Sequence, residues 1–491
     1  MNDNLIKFIA GWLLLISWGS VQNLLGEDAG PLKVYPPAPV LHGGRSSLQL
    51  VVDRQVGKLQ KDVSEESTFR AMTPELLEVS ERGNVTPIKT GAGKVEIVHE
   101  GVREEVSIRI ENIIENKPWS FRDDVQVVLT KTGCNMGACH GSPSGKGGFR
   151  LSLRGYDPPL DIYTLRSEFF GRRTNIMDPA DSLLLKKPLM EVAHGGGRRV
   201  KKGDVSYKVM HDWIAEGMKL DPAEEPDLVS VKIYPENRVF RPGAERQQIV
   251  LMGTFSDGSV RDLTPLACYS SSNENVAKVN DDGLVTKTSR GETAVLARYL
   301  DKMATCYITF LEDVPGFAWN NPAEKGFVDN LVFNKLKALQ ILPSDVATDE
   351  EFLRRAYLDT TGRLPTLAEV QAFNGNPSPN KRDELVDQLV DSDDFANFWA
   401  LKWADILRSN SKKINVSGVN KFRLWIYESL RTDKPFDQFA RELLTASGSS
   451  YENPAANYWR SSRDPQDATE TTAQLFLGVR IQCAKCHNHP F

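Results

Sequence analysis

Two places in the chain run a pair of thiols directly into a histidine. The first is Cys134-Asn135-Met136-Gly137-Ala138-Cys139-His140, with four residues between the thiols. The second is Cys483-Ala484-Lys485-Cys486-His487, with two. Paired thiols at such spacing can each form a thioether with a porphyrin vinyl group, and the adjacent imidazole can hold the iron from one side. Four of the six cysteines are used in this way. The same residues also admit a disulfide within each pair. They admit zinc ligation as well, by Cys134, Cys139, His140 and His194, or by Cys483, Cys486, His487 and His489.

The segment around the first site, about residues 118–224, has a helical pattern. Phe121, Val125, Val128 and Leu129 fall on one helical face leading into Cys134, and Tyr207, Met210, Trp213, Ile214 and Gly217 form a second amphipathic stretch. A helix, a thiol-thiol-histidine loop, an irregular segment and a helix carrying Trp-Ile-x-x-Gly together resemble the small cytochrome c fold. More narrowly, Gly133 to Gly141 with His194-Gly195-Gly196-Gly197 resembles the haem-type segment of the secreted planctomycete cytochrome C family. That resemblance implies a covalent haem c on Cys134 and Cys139, with His140 as the proximal ligand. The distal ligand would be a Met or His of the irregular segment: Met190 or His194 first, Met177 or Met210 behind them. The four-residue thiol spacing departs from the common two.

On either side, two stretches repeat each other at an offset of about 200 residues. Leu32-Lys33-Val34-Tyr35-Pro36 matches Val231-Lys232-Ile233-Tyr234-Pro235, and Gly83-Asn84-Val85-Thr86 matches Gly283-Leu284-Val285-Thr286. Recurring turn glycines and strand residues indicate a duplicated module. Alternation in Val229, Val231 and Ile233, and the Asp257-Gly258 turn, predict short strands of a β-sandwich. Residues 228–312 resemble a bacterial Ig-like domain of group 2, and 31–112 read as a divergent copy. Cys306 is expected in the core and Cys268 facing the other way, which disfavours a disulfide between them.

From about residue 324 the pattern is helical. Phe327, Leu331, Leu336 and Leu339 recur at helical intervals, and Thr348 with Glu351 spells a capping box before the run that ends at Gly362 and Pro365. That run, with Trp399 to Leu407, Glu442 to Gly448 and Phe476 to Phe491, resembles the helical module of the same planctomycete family over about 324–491. The resemblance implies a second haem at Cys483, Cys486 and His487. No methionine follows Met303, and His487 and His489 are the module's histidines, so that iron would keep an open or unusual sixth position. Arg354, Arg355, Asp359 and Arg363 form a charged cluster, read as an ion network or a propionate contact. The motif stands four residues from Phe491, where the family's sequences continue, so an incomplete module is expected.

Lys7, the apolar run Phe8 to Trp18 and Ser17-Trp18-Gly19 predict a signal peptide over 1–19, with a second cleavage option near Gly26. No later stretch has the length of a transmembrane helix. With 60 basic and 65 acidic residues well mixed, no basic stripe points to nucleic acid. The expected fold class is therefore multidomain: Ig-like β-sandwich modules alternating with a mainly α cytochrome-c-like segment and an α-helical module. The expected location is periplasmic, cell-surface or secreted. Two functions fit: haem-based electron transfer with a redox partner protein, or a disulfide-bearing scaffold whose sandwiches engage a polysaccharide or cell-surface ligand. A nucleophile–base pair for hydrolysis is not evident.

Overall fold

The computed structural model describes residues 29–56, 59–113, 117–222, 224–462 and 464–485. The expected signal peptide lies outside them. So do Cys486, His487 and His489, and of Cys483 only the backbone is described.

Strict alternation makes the sandwiches. Along Gly91–His99 the buried positions are Gly93, Val95, Ile97 and His99. Along Gly291–Tyr299 they are Thr293, Val295, Ala297 and Tyr299, two hundred residues on. A period of two puts one set of side chains on the inner face. Each module builds three small sheets in the same order. In the first, Ala29–Tyr35, Val51–Val56 and Leu59–Asp62 form one sheet. Val40–His42, Val102–Glu111, Gly91–His99 and Thr68–Ala71 form another, and three short strands form the third. The second module repeats this with Leu228–Tyr234, Val250–Phe255 and Val260–Asp262, and with Asn237–Phe240, Lys302–Phe310, Gly291–Tyr299 and Cys268–Ser271. In both copies one short strand runs parallel to the last long strand. The Ser256–Ser259 turn closes the expected hairpin, with Gly258 at φ 79°. Cys306 is fully buried and Cys268 half-buried, and both are free thiols.

The sandwiches pack on each other. Val250 and Met252 join the apolar cluster of the first module, beside Val51 and Val52. The matched tyrosines of the repeat, Tyr35 and Tyr234, meet with ring centres 6.1 Å apart. Buried Arg238 pairs with buried Asp53, so neither charge is left alone in a low-dielectric setting.

The intervening helical segment shares one core with the second sandwich. Phe121, Val125, Val128 and Leu129 are all fully buried, and Phe121 stacks on Trp213 at 5.3 Å. Both Asp221 carboxylate oxygens accept backbone N–H groups, from Phe121 and Arg122 at 2.8 Å each, which satisfies the free amides of that helix start. The Tyr299 hydroxyl donates to the Asp123 carbonyl, and Lys131 donates to the Ala267 carbonyl at 3.0 Å. These bonds fix the segment to the sandwich.

Described residues up to Leu342 form one compact unit and those from Pro343 a second. Helix Phe327–Ala338 belongs to the first and buries none of its residues; Phe327 and Leu331 are exposed. In the second unit, Phe422, Ile426, Phe439, Leu443 and Tyr458 build a helical core. Two capping boxes start its helices, Thr348 with Glu351 as expected and Thr366 with Glu369 in addition. Arg363 resolves as an ion network, bonded to Glu369 at 2.8 Å and to Asp394 at 2.7 Å. This pairing holds the Glu369 carboxyl down at about 2. Among the described residues, no helix is long and apolar enough to cross a membrane.

Candidate functional site

The first thiol-histidine loop hangs from the end of helix Gln126–Lys131. Gly133, at φ 77°, turns the chain out of the helix. The loop then folds back on itself: the Cys139 N–H donates to the Met136 carbonyl at 2.8 Å and the His140 N–H to the Cys134 carbonyl at 2.9 Å. Fully buried Asn135 ties it inward through Thr130 Oγ1 at 2.8 Å. A Cβ on Gly141 would lie 2.0 Å from the Asn135 carbonyl oxygen, so this crossing admits only glycine.

Behind the loop, Asp161 is a buried anchor. It accepts from the Ser152 N–H and hydroxyl, at 2.5 and 2.6 Å, and from Gln126 Nε2 at 2.9 Å. The Leu151 N–H, next along, donates to the His140 carbonyl at 2.8 Å. The position of the histidine is thus set from both sides.

Cys134, His140 and His194 line one cavity of about 290 Å³, with Phe149, Phe169, Leu183, Leu184 and Pro188 among its apolar walls. That volume is at the lower edge of the ~300–1,000 Å³ typical of small-molecule sites. Lys146, Arg172, Arg173 and Lys187 also line it. Arg173 is held over the Phe149 ring at 4.7 Å and the Phe169 ring at 5.3 Å. The wall at Phe169, Phe170 and Gly171 takes three consecutive left-handed conformations, unfavourable for bulky side chains, and leaves Phe170 fully exposed.

The two imidazoles are the centre of the site. Their ring centres are 6.4 Å apart and their planes 10° from parallel. Nδ1 of His140 is 3.0 Å from the Phe149 carbonyl and Nδ1 of His194 is 2.9 Å from the Gly197 carbonyl. Each carbonyl can only accept, so each Nδ1 carries the proton and each Nε2 keeps a free lone pair. Burial pushes the His140 pKa down, which keeps the ring neutral and able to ligate. Burial likewise pushes the Cys134 thiol up, and its sulfur lies 3.3 Å from Thr132 Oγ1.

Of the residues singled out in the sequence, Cys134, His140 and His194 meet at the cavity. Cys139 is half-buried one residue away, and Cys134 and Cys139 are free. Met190 is exposed at the left-handed end of helix Leu183–Leu189, Met177 is almost fully exposed, and Met210 is buried in the core; none lines the cavity. Among the described residues, no three Cys, His, Asp or Glu side chains converge as a metal-ion cluster, so Cys134, Cys139, His140 and His194 do not form one coordination sphere. The cationic wall was not anticipated, although Arg172-Arg173 beside Phe169-Phe170 is visible in the sequence.

Compared with known proteins, residues 327–491 match the family described as PSCyt2, protein of unknown function (DUF1549). Ice-binding protein 1 of Shewanella frigidimarina (strain NCIMB 400) is 35% identical over 74 residues, which are 15% of this chain. The chain spans 8% of the length of that relative. Among solved structures, domains 5–6 of the S-layer protein SbsC align at 9% identity over 58% of this chain and 99% of that one, with a TM-score of 0.25. A SusE-like surface located polysaccharide binding protein from Bacteroides thetaiotaomicron aligns at 12% identity over 57% and 34%, with a TM-score of 0.13.

Proposed function

We propose that this chain is an exported modular protein whose segment 118–224 binds one haem c and serves electron transfer with a redox partner. The paired imidazoles carry this reading. Two imidazoles that held one metal ion between them through Nε2 would have ring centres roughly 6 Å apart. His140 and His194 have a separation of that size, 6.4 Å, with their planes 10° from parallel. Both Nδ1 protons are already engaged, the second-shell support that orients ligating histidines.

When bound, an iron porphyrin supplies a one-electron couple whose potential follows its axial ligands and burial. The chain's own residues do the rest. Cys134 and Cys139 would be the thioether donors, Cys134 from the cavity lining and Cys139 from just outside it. His140 and His194, which both line the cavity, would be the residues to hold the iron, ahead of Met190, which does not line it. Phe149, Phe169 and Leu184 would exclude water, and Lys146, Arg172 and Lys187 would offer positive charge to the porphyrin carboxylates, Arg173 being already paired with Glu168 at 2.9 Å. An iron held by two such histidines would favour electron transfer over chemistry on a bound substrate.

The test is the mass and spectrum of the full chain matured with a c-type haem system. One added haem that survives acid-acetone supports the site at Cys134–His140, and two would add Cys483, Cys486 and His487. Bare or mutually bonded thiols with no added mass overturn the reading.

A second reading, a surface scaffold whose sandwiches engage a polysaccharide or cell-surface ligand, has more support from the comparisons than the haem reading: it draws on the similarity to the ice-binding protein and on the tandem sandwich pair. It stands without haem. Its own test is retention of the secreted chain on the cell surface, and free release into the medium counts against it.

A further inference from the structure

The helical unit contains a second concavity, unrelated to the thiol-histidine loops. It is an open cleft of about 640 Å³ between the turn after helix Phe436–Thr445 and helix Asn457–Ser461. We propose that it binds an anionic oligosaccharide. This deepens the second reading above, taking its ligand class and moving the site from the sandwiches to the helical unit.

The cleft combines three features that a sugar needs. Tyr451 and Trp459 both line it, with 47% and 37% of their surfaces exposed. Aromatic faces kept partly bare are apolar platforms on which the C–H faces of a pyranose can pack. Trp459 is braced from behind by the ring of buried Tyr458, 5.3 Å away, whose hydroxyl is bonded to Thr472 Oγ1 at 2.9 Å. The floor is Ser447-Gly448-Ser449-Ser450, where small residues give close approach and hydroxyls give both donors and acceptors.

The turn is held by its own hydrogen bonds. Asn453 donates to the Ser447 carbonyl at 3.2 Å and its own N–H reaches the Ser449 carbonyl at 2.8 Å. Fully buried Asn457 donates to the Ser450 carbonyl at 3.1 Å. A preformed loop lowers the ordering cost of binding.

Charge selects the class of sugar. The Arg460 guanidinium lines the cleft and donates to Ser450 Oγ at 3.2 Å. Among the described residues no carboxylate pairs with it. Lys421, outside the lining, stands beside it, donating to the Tyr451 carbonyl at 3.0 Å with its ammonium 5.8 Å from the Tyr451 ring. Carboxylate or sulfate groups on a sugar supply the missing counter-charge. The chain as a whole carries a net charge of −5, so it repels polyanions in general and only a local site would retain them.

The experiment is native affinity electrophoresis of the full chain in gels containing polygalacturonate, dextran sulfate or uncharged dextran. Retardation by either anionic polymer and not by dextran is expected, and the choice between the two identifies carboxylate or sulfate. Trp459→Ala and Arg460→Gln should each weaken retention roughly tenfold or more, whereas Trp459→Phe keeps most of it. Unchanged circular dichroism and melting confirm that the variants fold. Equal retardation of Trp459→Ala and the wild type sinks the cleft while leaving the surface-scaffold reading intact. No retardation of the wild type, or retardation as strong in uncharged dextran, overturns the anionic-sugar assignment itself.

Discussion

Asp62 and Asp262 each accept a backbone N–H from the other's sandwich. Asp62 Oδ2 takes the Gln248 N–H at 2.6 Å, and Asp262 Oδ2 takes the Gln49 N–H at 2.7 Å. The two residues correspond in the repeat, so the bonds form a reciprocal cross-brace. Burial raises both carboxyl pKa values, that of Asp262 to about 6. An acid whose folded pKa exceeds its unfolded value binds more protons when folded, so stability falls as pH rises between the two values. The sandwich pair should therefore melt lower at pH 7 than at pH 4.5, through this group, and Asp262→Asn should flatten that slope in calorimetric scans across the window. A variant whose pH slope matches the wild type would remove Asp262 from the account.

On the proposed haem reading, ligation by the histidines is separable from attachment through the cysteines. His194→Ala should keep the covalent porphyrin, because the thioethers do not involve it, but should convert a low-spin six-coordinate spectrum to a high-spin one. Met190→Ala should leave the spectrum unchanged. Electron paramagnetic resonance distinguishes the two outcomes, and a spectral change at Met190 instead would reassign the distal ligand.

Asp161 carries the loop from below. Asp161→Ala leaves the buried Ser152 N–H and the Gln126 amide without their acceptor, at a cost of ~1–3 kcal/mol per orphaned group. Denaturant unfolding of the full chain should show a loss of that order in the first unit. A neutral result would mean that solvent or another acceptor replaces the carboxylate.

In the second unit, Gly362 ends its helix at φ 72°, and a Cβ there would lie 2.3 Å from the Phe398 ring. Gly362→Ala combines left-handed strain with a clash, so a loss of about 1–3 kcal/mol is expected in a thermal melt of the helical transition. A melting point within error of wild type would show that Phe398 moves freely aside.

Local signals were readable from the residues alone. Alternation and the Asp257-Gly258 turn mark the second sandwich, apolar spacing marks the buried face of Phe121, Val125, Val128 and Leu129, and Thr348 with Glu351 marks a helix start. What could not be read was set by distant contact. Nothing local distinguishes His194 from Met190 as the neighbour of His140, since the irregular segment between them has no period from which to infer direction. Helix Phe327–Ala338 has a helical apolar pattern yet buries none of it, because periodicity reports a face and not its cover. The cross-brace was likewise hidden: Asp62 and Asp262 look like ordinary polar strand ends until the repeats are brought together.

The way Tyr35 meets its own counterpart Tyr234 has a consequence for assembly. A surface that fits a copy of itself is satisfied by one mate and has nothing left to recruit a third. Because the mate is encoded in the same polypeptide, the sticky face is spent internally and this contact cannot string molecules into fibres or lattices. Any sheet-like array of this protein would have to use other faces, and a lone sandwich cut from its sister would be expected to find another lone sandwich.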